Sequence, residues 1–163
     1  MFLITIKKRK WDELLDAAWL PKGEIQADPL GDLHPSEGSI SIWWVDEQLL
    51  NLDDIIVALA LTRDKWDIFE YGLFDSSIPG NLGLLVKETI GKTPLPQINH
   101  FHRDLVELTV DKYVQFIKGI FPQVQKERAY RDDIWEKVRE ARNKHLIDAN
   151  LLNKKIRPLY DAL

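Results

Sequence analysis

The feature of this 163-residue sequence that most restricts its fold is the mixture of strand patterns and helix patterns along one short chain. Residues 39–45 begin with strict alternation of polar and apolar side chains, which is typical of a strand with one buried face. Residues 2–6 and 68–74 are short, apolar segments that favour two further strands. The chain therefore needs at least a small β-sheet.

Other segments repeat their apolar residues at helical spacing. Asn51 and Thr109 are expected N-caps, because their short polar side chains can accept hydrogen bonds from the first helical turn. The expected helices cover residues 11–19, 52–60, 110–121 and 127–146, with a last short helix within 151–163. Helices and strands together predict an α+β fold.

The predicted fold is a sheet of three to four strands in the N-terminal two thirds, packed with helices, followed by a helix-rich C-terminal third. A chain of this length is expected to form a single domain, residues 1–163. Residues 21–38 contain three prolines and three glycines, which predicts a long irregular loop. Residues 123–163 carry a net charge of +3 against −7 for residues 1–122, so we expect a basic helical end.

The sequence contains no cysteine, which excludes disulfides, thiolate metal sites and a cysteine nucleophile. The longest apolar run, residues 55–61, is much shorter than the roughly 18 residues that a membrane helix needs. The lysine cluster at 7–10 follows the first apolar segment, whereas a signal peptide has its positive charge in front. We therefore expect a cytoplasmic protein without a membrane partner.

The adjacent tryptophans Trp43 and Trp44 suggest an interaction surface. Neighbouring residues in a strand point to opposite faces, so the two rings cannot enter the same core. Either one of them faces a partner, or a second layer covers the other face of the sheet. Because tryptophan is enriched at interface hot spots, the leading hypothesis is a non-enzymatic interaction or regulatory domain without a cofactor. It would bind a protein partner or form a homodimer across this strand.

His100 and His102 suggest an alternative function. Two histidines at positions i and i+2 of an extended segment point the same way and can share a divalent metal ion. Asp104 or Glu107 could add a carboxylate ligand, which would give a small metal-dependent hydrolase. The competing interpretation is a polar helix entrance that binds no metal.

The predicted C-terminal helix suggests a third function. One face carries four arginines and a tryptophan: Arg128, Arg131, Trp135, Arg139 and Arg142. Phosphate neutralisation beside a stacking aromatic is the chemistry of single-stranded nucleic-acid binding, here through residues 128–145. The arginine–five–histidine spacing of Arg139 and His145 resembles the motif of HEPN-type ribonucleases over seven residues, which implies RNA cleavage. Pairs such as Glu140 and Lys144 are instead typical of a solvated helix.

Overall fold

The computed structural model describes residues 1–12, 19–64 and 67–163. Within these ranges the strands are β1 (Phe2–Thr5), β2 (Ile40–Trp44), β3 (Ile68–Phe74), β4 (Leu85–Glu88), β5 (His102–Val106) and β6 (Gln125–Tyr130). The α-helices are α1 (Leu52–Leu61), α2 (Ile78–Asn81), α3 (Val110–Ile120), α4 (Arg131–Asn143) and α5 (Arg157–Asp161). Short 3₁₀ turns occupy Lys8–Lys10, Pro96–Phe101 and Ala149–Leu151.

The strands form one six-stranded antiparallel sheet in the order β4-β5-β2-β1-β3-β6. β1 lies inside the sheet and pairs with β2 on one side and with β3 on the other. Phe2 lies opposite Trp44 of β2 and Phe74 of β3. Leu3 lies opposite Trp43 and Leu73. The prediction of three to four strands confined to the N-terminal two thirds was therefore wrong.

The strands that the sequence patterns did not clearly predict lie towards the two edges of the sheet. β6, with the sequence QKERAY, has mostly exposed side chains, and an edge strand of this kind shows no alternation of buried residues. Its last four residues were assigned to a helix because Tyr130, Ile134 and Val138 are four apart, but α4 begins at Arg131. The basic C-terminal end therefore starts with a strand rather than with a helix.

The chain divides into two compact units, and the first comprises Met1–Trp44, Glu70–Lys87 and Arg103–Glu127. Its core contains one face of the central strands together with α3. Phe74 contacts Phe2 on β1, with ring centroids 5.8 Å apart, and meets Phe116 on α3 edge-on at 5.6 Å. As predicted, Thr109 caps α3, its hydroxyl accepting from the backbone N–H of Lys112.

The irregular segment 21–38 in this unit is fixed by side chains from elsewhere. Asp32 and Leu33 are two of the residues that are held in this way. The Asp32 carboxylate accepts from the indole N–H of Trp11 at 2.9 Å and from the backbone N–H of Lys7 at 2.6 Å. The Tyr113 hydroxyl lies 2.6 Å from the carbonyl oxygen of Leu33. The loop therefore has defined positions although it contains neither helix nor strand, as the prolines and glycines predicted.

The second unit comprises Val45–Phe69, Glu88–His102 and Arg128–Leu163. Here α1 packs against α4, and both helices contribute buried aliphatic side chains such as Ile55 and Ile134. The Lys137 ammonium on α4 pairs with the Asp53 carboxylate in the first turn of α1. Helices α4 and α5 position the candidate site described below.

Six residues of the helix expected at 11–19 lie outside the described residues, as does Trp66. None of the helices in the described ranges is both long and apolar enough to cross a membrane.

Candidate anion-binding cleft

Helix α4 ends in a turn that places three polar side chains close together in sequence. The backbone N–H of His145 donates to the carbonyl oxygen of Arg142, and that of Leu146 donates to Ala141. These two bonds define a Schellman motif, whose turn residue adopts the left-handed conformation. That residue is His145, with φ of +54°, where glycine is the usual choice. Arg142, Asn143 and His145 therefore project from the end of the helix.

Helix α5 supplies the opposite side of the site. It begins at Arg157, and Pro158 stands in its first turn, where a missing backbone N–H costs nothing. Its main buried side chain is Tyr160, which is 9% exposed. The Arg142 guanidinium lies over the Tyr160 ring, with its central carbon 5.1 Å from the ring centroid. This cation–π contact with the ring restricts the position of the Arg142 side chain.

An open cleft of about 650 Å³ lies between these two helix ends. Its volume falls within the range of roughly 300–1,000 Å³ that is usual for small-molecule sites. The described residues that line it are Arg142, Asn143, His145, Ile147, Tyr160 and Leu163, all in the second unit. Four of the six side chains carry hydrogen-bond donors, and none of these six side chains carries a carboxylate.

Two of the donors have neither a hydrogen bond nor an ion pair from their side chains within the described residues. Within the described part of the chain, the Tyr160 hydroxyl has no hydrogen bond although the side chain is nine-tenths buried. No carboxylate among the described residues pairs with Arg142. Buried polar groups in folded proteins are almost always hydrogen-bonded, so the unpartnered hydroxyl of a buried tyrosine that lines a cleft calls for an explanation. A ligand oxygen in the cleft would provide one.

The electrostatics of the cleft favour an anion. Arg142 brings a permanent positive charge, and the tyrosine and asparagine side chains bring neutral donors. The C-terminal end of a helix carries partial negative charge, which would oppose an anion by about 0.3–1 kcal/mol. Hydrogen bonds to charged groups contribute about 1.5–3 kcal/mol each, so the arginine outweighs the helix end. The arrangement can bind an oxyanion without any metal or cofactor.

The tryptophans predicted to form an interaction surface have different environments. Trp43 is 5% exposed and shares a face of the sheet with Leu3, whereas Trp44 is 36% exposed and shares the other face with Phe2. Leu3 and Phe2 are both buried, so neither face of the central strands is open to solvent there. Only Trp44 retains substantial exposed surface. The homodimer across this strand stays a prediction.

The two histidines proposed as metal ligands lie in different elements. His100 belongs to the 3₁₀ turn Pro96–Phe101, and His102 is the first residue of β5. The Nδ1 atom of His102 lies 2.7 Å from the Thr89 hydroxyl, so that nitrogen already has a hydrogen-bond partner. Among the described residues, no three side chains of the metal-ligating types form a group. The structure thus brings no third ligand to this pair.

The arginines proposed to bind nucleic acid do not act as one surface with the tryptophan. Trp135 is 8% exposed, so its ring cannot stack on a base. Arg131 lies 3.4 Å from the Asp67 carboxylate, whereas Arg139 is exposed on α4. Helix α4 ends before His145, so the Arg139–His145 spacing does not lie on one continuous helix. Arg142 is the member of this set that lines the cleft.

A second cleft, of about 290 Å³, lies in the first unit and contains several hydroxyl groups. It includes Asp32, His34 and three serines. One oxygen of Asp32 already accepts from Trp11 and from the backbone of Lys7. This cleft therefore lacks the unpartnered buried group that distinguishes the cleft beside α4.

Comparison of the chain with protein-family models, with curated proteins and with solved structures found no match. Sequence reasoning had singled out Arg142 but neither Asn143 nor Tyr160 as part of a site. The tyrosine could not have been found from sequence, because its unpartnered hydroxyl is a property of the folded chain. The function is therefore inferred from the side chains of the cleft themselves.

Proposed function

We propose that the protein is a non-enzymatic binding domain that recognises an anionic group, a phosphate or a carboxylate, in the cleft between α4 and α5. The observation that carries this proposal is made at Tyr160: the residue is nine-tenths buried, and its hydroxyl has no hydrogen bond within the described residues. Its ring stands beside Arg142, which has no carboxylate partner there. Both groups are donors, and an oxyanion satisfies both.

The energetics support occupation of the cleft. A buried hydroxyl without a partner costs about 1–3 kcal/mol, and a ligand oxygen would remove that cost on binding. The Arg142 fork suits two-point recognition of an oxyanion, and its contact with the Tyr160 ring limits the conformational freedom lost when the ligand binds. The cleft is thus arranged in advance for an anion rather than assembled around one.

The proposal is tested by two-dimensional NMR titration with inorganic phosphate and with acetate. We expect saturable shifts of backbone resonances in residues 142–147 and 157–163. Arg142→Gln should abolish them, because the fixed charge is lost. Arg139→Gln is the matched control, since Arg139 is an exposed arginine one turn earlier on α4 that does not line the cleft. Its shifts should equal those of the wild type.

Two results would contradict the proposal. One is the absence of saturable shifts with either anion in a well-folded wild-type sample. The other is an Arg142→Gln variant that binds as tightly as Arg139→Gln. A spectrum with native dispersion establishes in each case that the variant is folded.

A further inference from the structure

The donors of the cleft outnumber the oxygens of a carboxylate. Arg142 offers a planar fork, Asn143 an amide N–H pair and Tyr160 a hydroxyl, while His145 adds an imidazole. None of these four side chains has a hydrogen bond or an ion pair in the described part of the chain. A carboxylate presents two oxygens, whereas a phosphate monoester presents three and carries up to two negative charges. The three oxygens of a phosphate monoester therefore match the four donor side chains better than the two oxygens of a carboxylate do.

The donors also belong to different elements of the structure. Asn143 ends α4, His145 lies in the turn that follows it, and Tyr160 comes from α5 below the Arg142 guanidinium. Planar carboxylates are satisfied by donors in one plane, as in a fork-to-fork pair with arginine. Donors on several sides fit the tetrahedral arrangement of phosphate oxygens better.

The remaining lining indicates what the phosphate is attached to. Ile147 and Leu163 are aliphatic and line the same cleft. Tyr160 is the one phenol ring among the described lining residues, and Arg142 covers one of its faces, so that face cannot stack on a nucleobase. The cleft is also closer in size to a small organic ligand than to a polymer groove.

We infer that the ligand is a small aliphatic phosphate monoester, an inference that rests on the proposed anion-binding function. The phosphate accepts from Arg142, Tyr160 and Asn143, and the aliphatic group lies against Ile147 and Leu163. His145 adds a donor at the exposed side of the cleft. The backbone of His145 is left-handed, a conformation that is unfavourable for a residue with a side chain. Glycine would make the same turn without this strain, but it would not place an imidazole here.

The inference is tested with matched small probes in the NMR titration: propyl phosphate, dimethyl phosphate and butyrate. Dimethyl phosphate has one negative charge and two free oxygens, and butyrate has the same count on a planar group. We expect propyl phosphate to bind at least about tenfold more tightly than either, which corresponds to ~1.4 kcal/mol. Asn143→Ala and Tyr160→Phe should each weaken propyl phosphate about five- to tenfold but change butyrate binding less.

The outcomes separate this inference from the function on which it rests. If butyrate binds as tightly as propyl phosphate, the monoester inference is overturned while anion binding stands. If no probe binds to the folded wild type, both fail. If a short single-stranded RNA binds more tightly than propyl phosphate and Arg139→Gln weakens it, the ligand is a nucleic acid instead. Arg142→Lys keeps the charge without the fork, so a loss of propyl phosphate binding there supports two-point recognition even if Arg142→Gln does not fold.

Discussion

Two tyrosines of this chain have hydroxyl groups in opposite situations. The Tyr113 hydroxyl contacts the carbonyl oxygens of Leu30 and Leu33, whereas the Tyr160 hydroxyl has no hydrogen bond among the described residues. Tyr113→Phe should lower the free energy of unfolding by about 0.5–1.5 kcal/mol, since a hydrogen bond is lost. Tyr160→Phe should leave it unchanged or raise it, because a buried polar group without a partner is removed.

Urea denaturation of both variants in phosphate-free buffer measures this difference. Buffer composition matters because a bound anion would stabilise the folded wild type and would hide the effect at Tyr160. A Tyr160→Phe variant that loses as much stability as Tyr113→Phe would show that its hydroxyl does have a partner, which would remove the main support for the cleft as a ligand site.

Gly72 is a position where the neighbouring side chains leave no room for a Cβ atom. A Cβ atom built there would lie 2.5 Å from Cγ2 of Val124. Gly72→Ala should therefore destabilise the protein by about 1–3 kcal/mol, the usual cost of overpacking a core. Gly80→Ala is the matched control, because a Cβ there meets nothing within 4 Å and the change should be neutral or slightly stabilising.

Thermal unfolding measures both alanine variants. The double variant Gly72→Ala/Val124→Ala identifies the cause, since a shorter side chain at 124 removes the clash and should recover part of the lost stability relative to Val124→Ala alone. Equal melting temperatures for Gly72→Ala and Gly80→Ala would contradict the close packing of β3 against Val124.

At the level of helices and turns, Asp64 fastens the segment before α5 to the end of α1. Its carboxylate lies 2.5 Å from the Lys155 ammonium and accepts from the Asn153 side chain at 3.1 Å. The Lys155 contact, with the Asn153 hydrogen bond second, holds the pKa of Asp64 below its ordinary value of 3.8. A carboxyl with a lowered folded-state pKa stabilises the fold above the unfolded value, and that contribution is lost as the pH falls through the folded value.

Asp64→Asn should therefore be less stable than the wild type at neutral pH, and the difference should vanish as the pH falls below 3.8 through the lowered pKa. The measurement is the urea midpoint of the two proteins across this range. Lys155→Met is the partner control, because Asp64→Asn should have a smaller effect once the ammonium is gone. A difference that persists unchanged in acid would contradict the assignment to this ion pair.

The elements that sequence patterns predicted correctly are those with buried apolar side chains. β2 begins with two buried isoleucines on either side of an exposed serine, and α3 has both a capping threonine and a buried stripe. β6 was not predicted because an edge strand with exposed charged side chains has no hydrophobic periodicity. In addition, Tyr130 matches the helical spacing of the apolar residues in α4, so the end of β6 was assigned to that helix. Local pattern therefore predicts elements only where burial shapes the sequence.

The cleft was predictable to a smaller extent than the fold. Arg142 was singled out as part of an arginine face on one helix, but its role in the structure comes from contact with Tyr160, eighteen positions later in the sequence. Trp135 was taken as a stacking aromatic, yet it is buried in the second unit. Long-range packing decides which donors have no partner. The periodicity of the sequence contains no information on such packing.

For the chain as a whole, the first residues are more important to the fold than terminal residues usually are. Chain ends are often dispensable, but β1 lies inside the sheet and pairs with strands about forty and seventy positions further along. Leu3 is fully buried and lies opposite Trp43 and Leu73, so its side chain joins three strands. Because these contacts are distant in sequence, the sheet cannot close until β3 is available, which favours slow folding.

Leu3→Ala should consequently lower the free energy of unfolding by about 2–5 kcal/mol, as expected for a buried leucine that leaves a cavity. The matched control is Leu85→Ala in edge strand β4, where the leucine is half exposed and the change should stay within about 0.5 kcal/mol. Urea denaturation followed by circular dichroism measures both. Since small domains have only about 5–15 kcal/mol of stability in total, Leu3→Ala could leave a partly unfolded sample at 37 °C. Similar losses in the two variants would mean that β1 does not occupy the interior of the sheet.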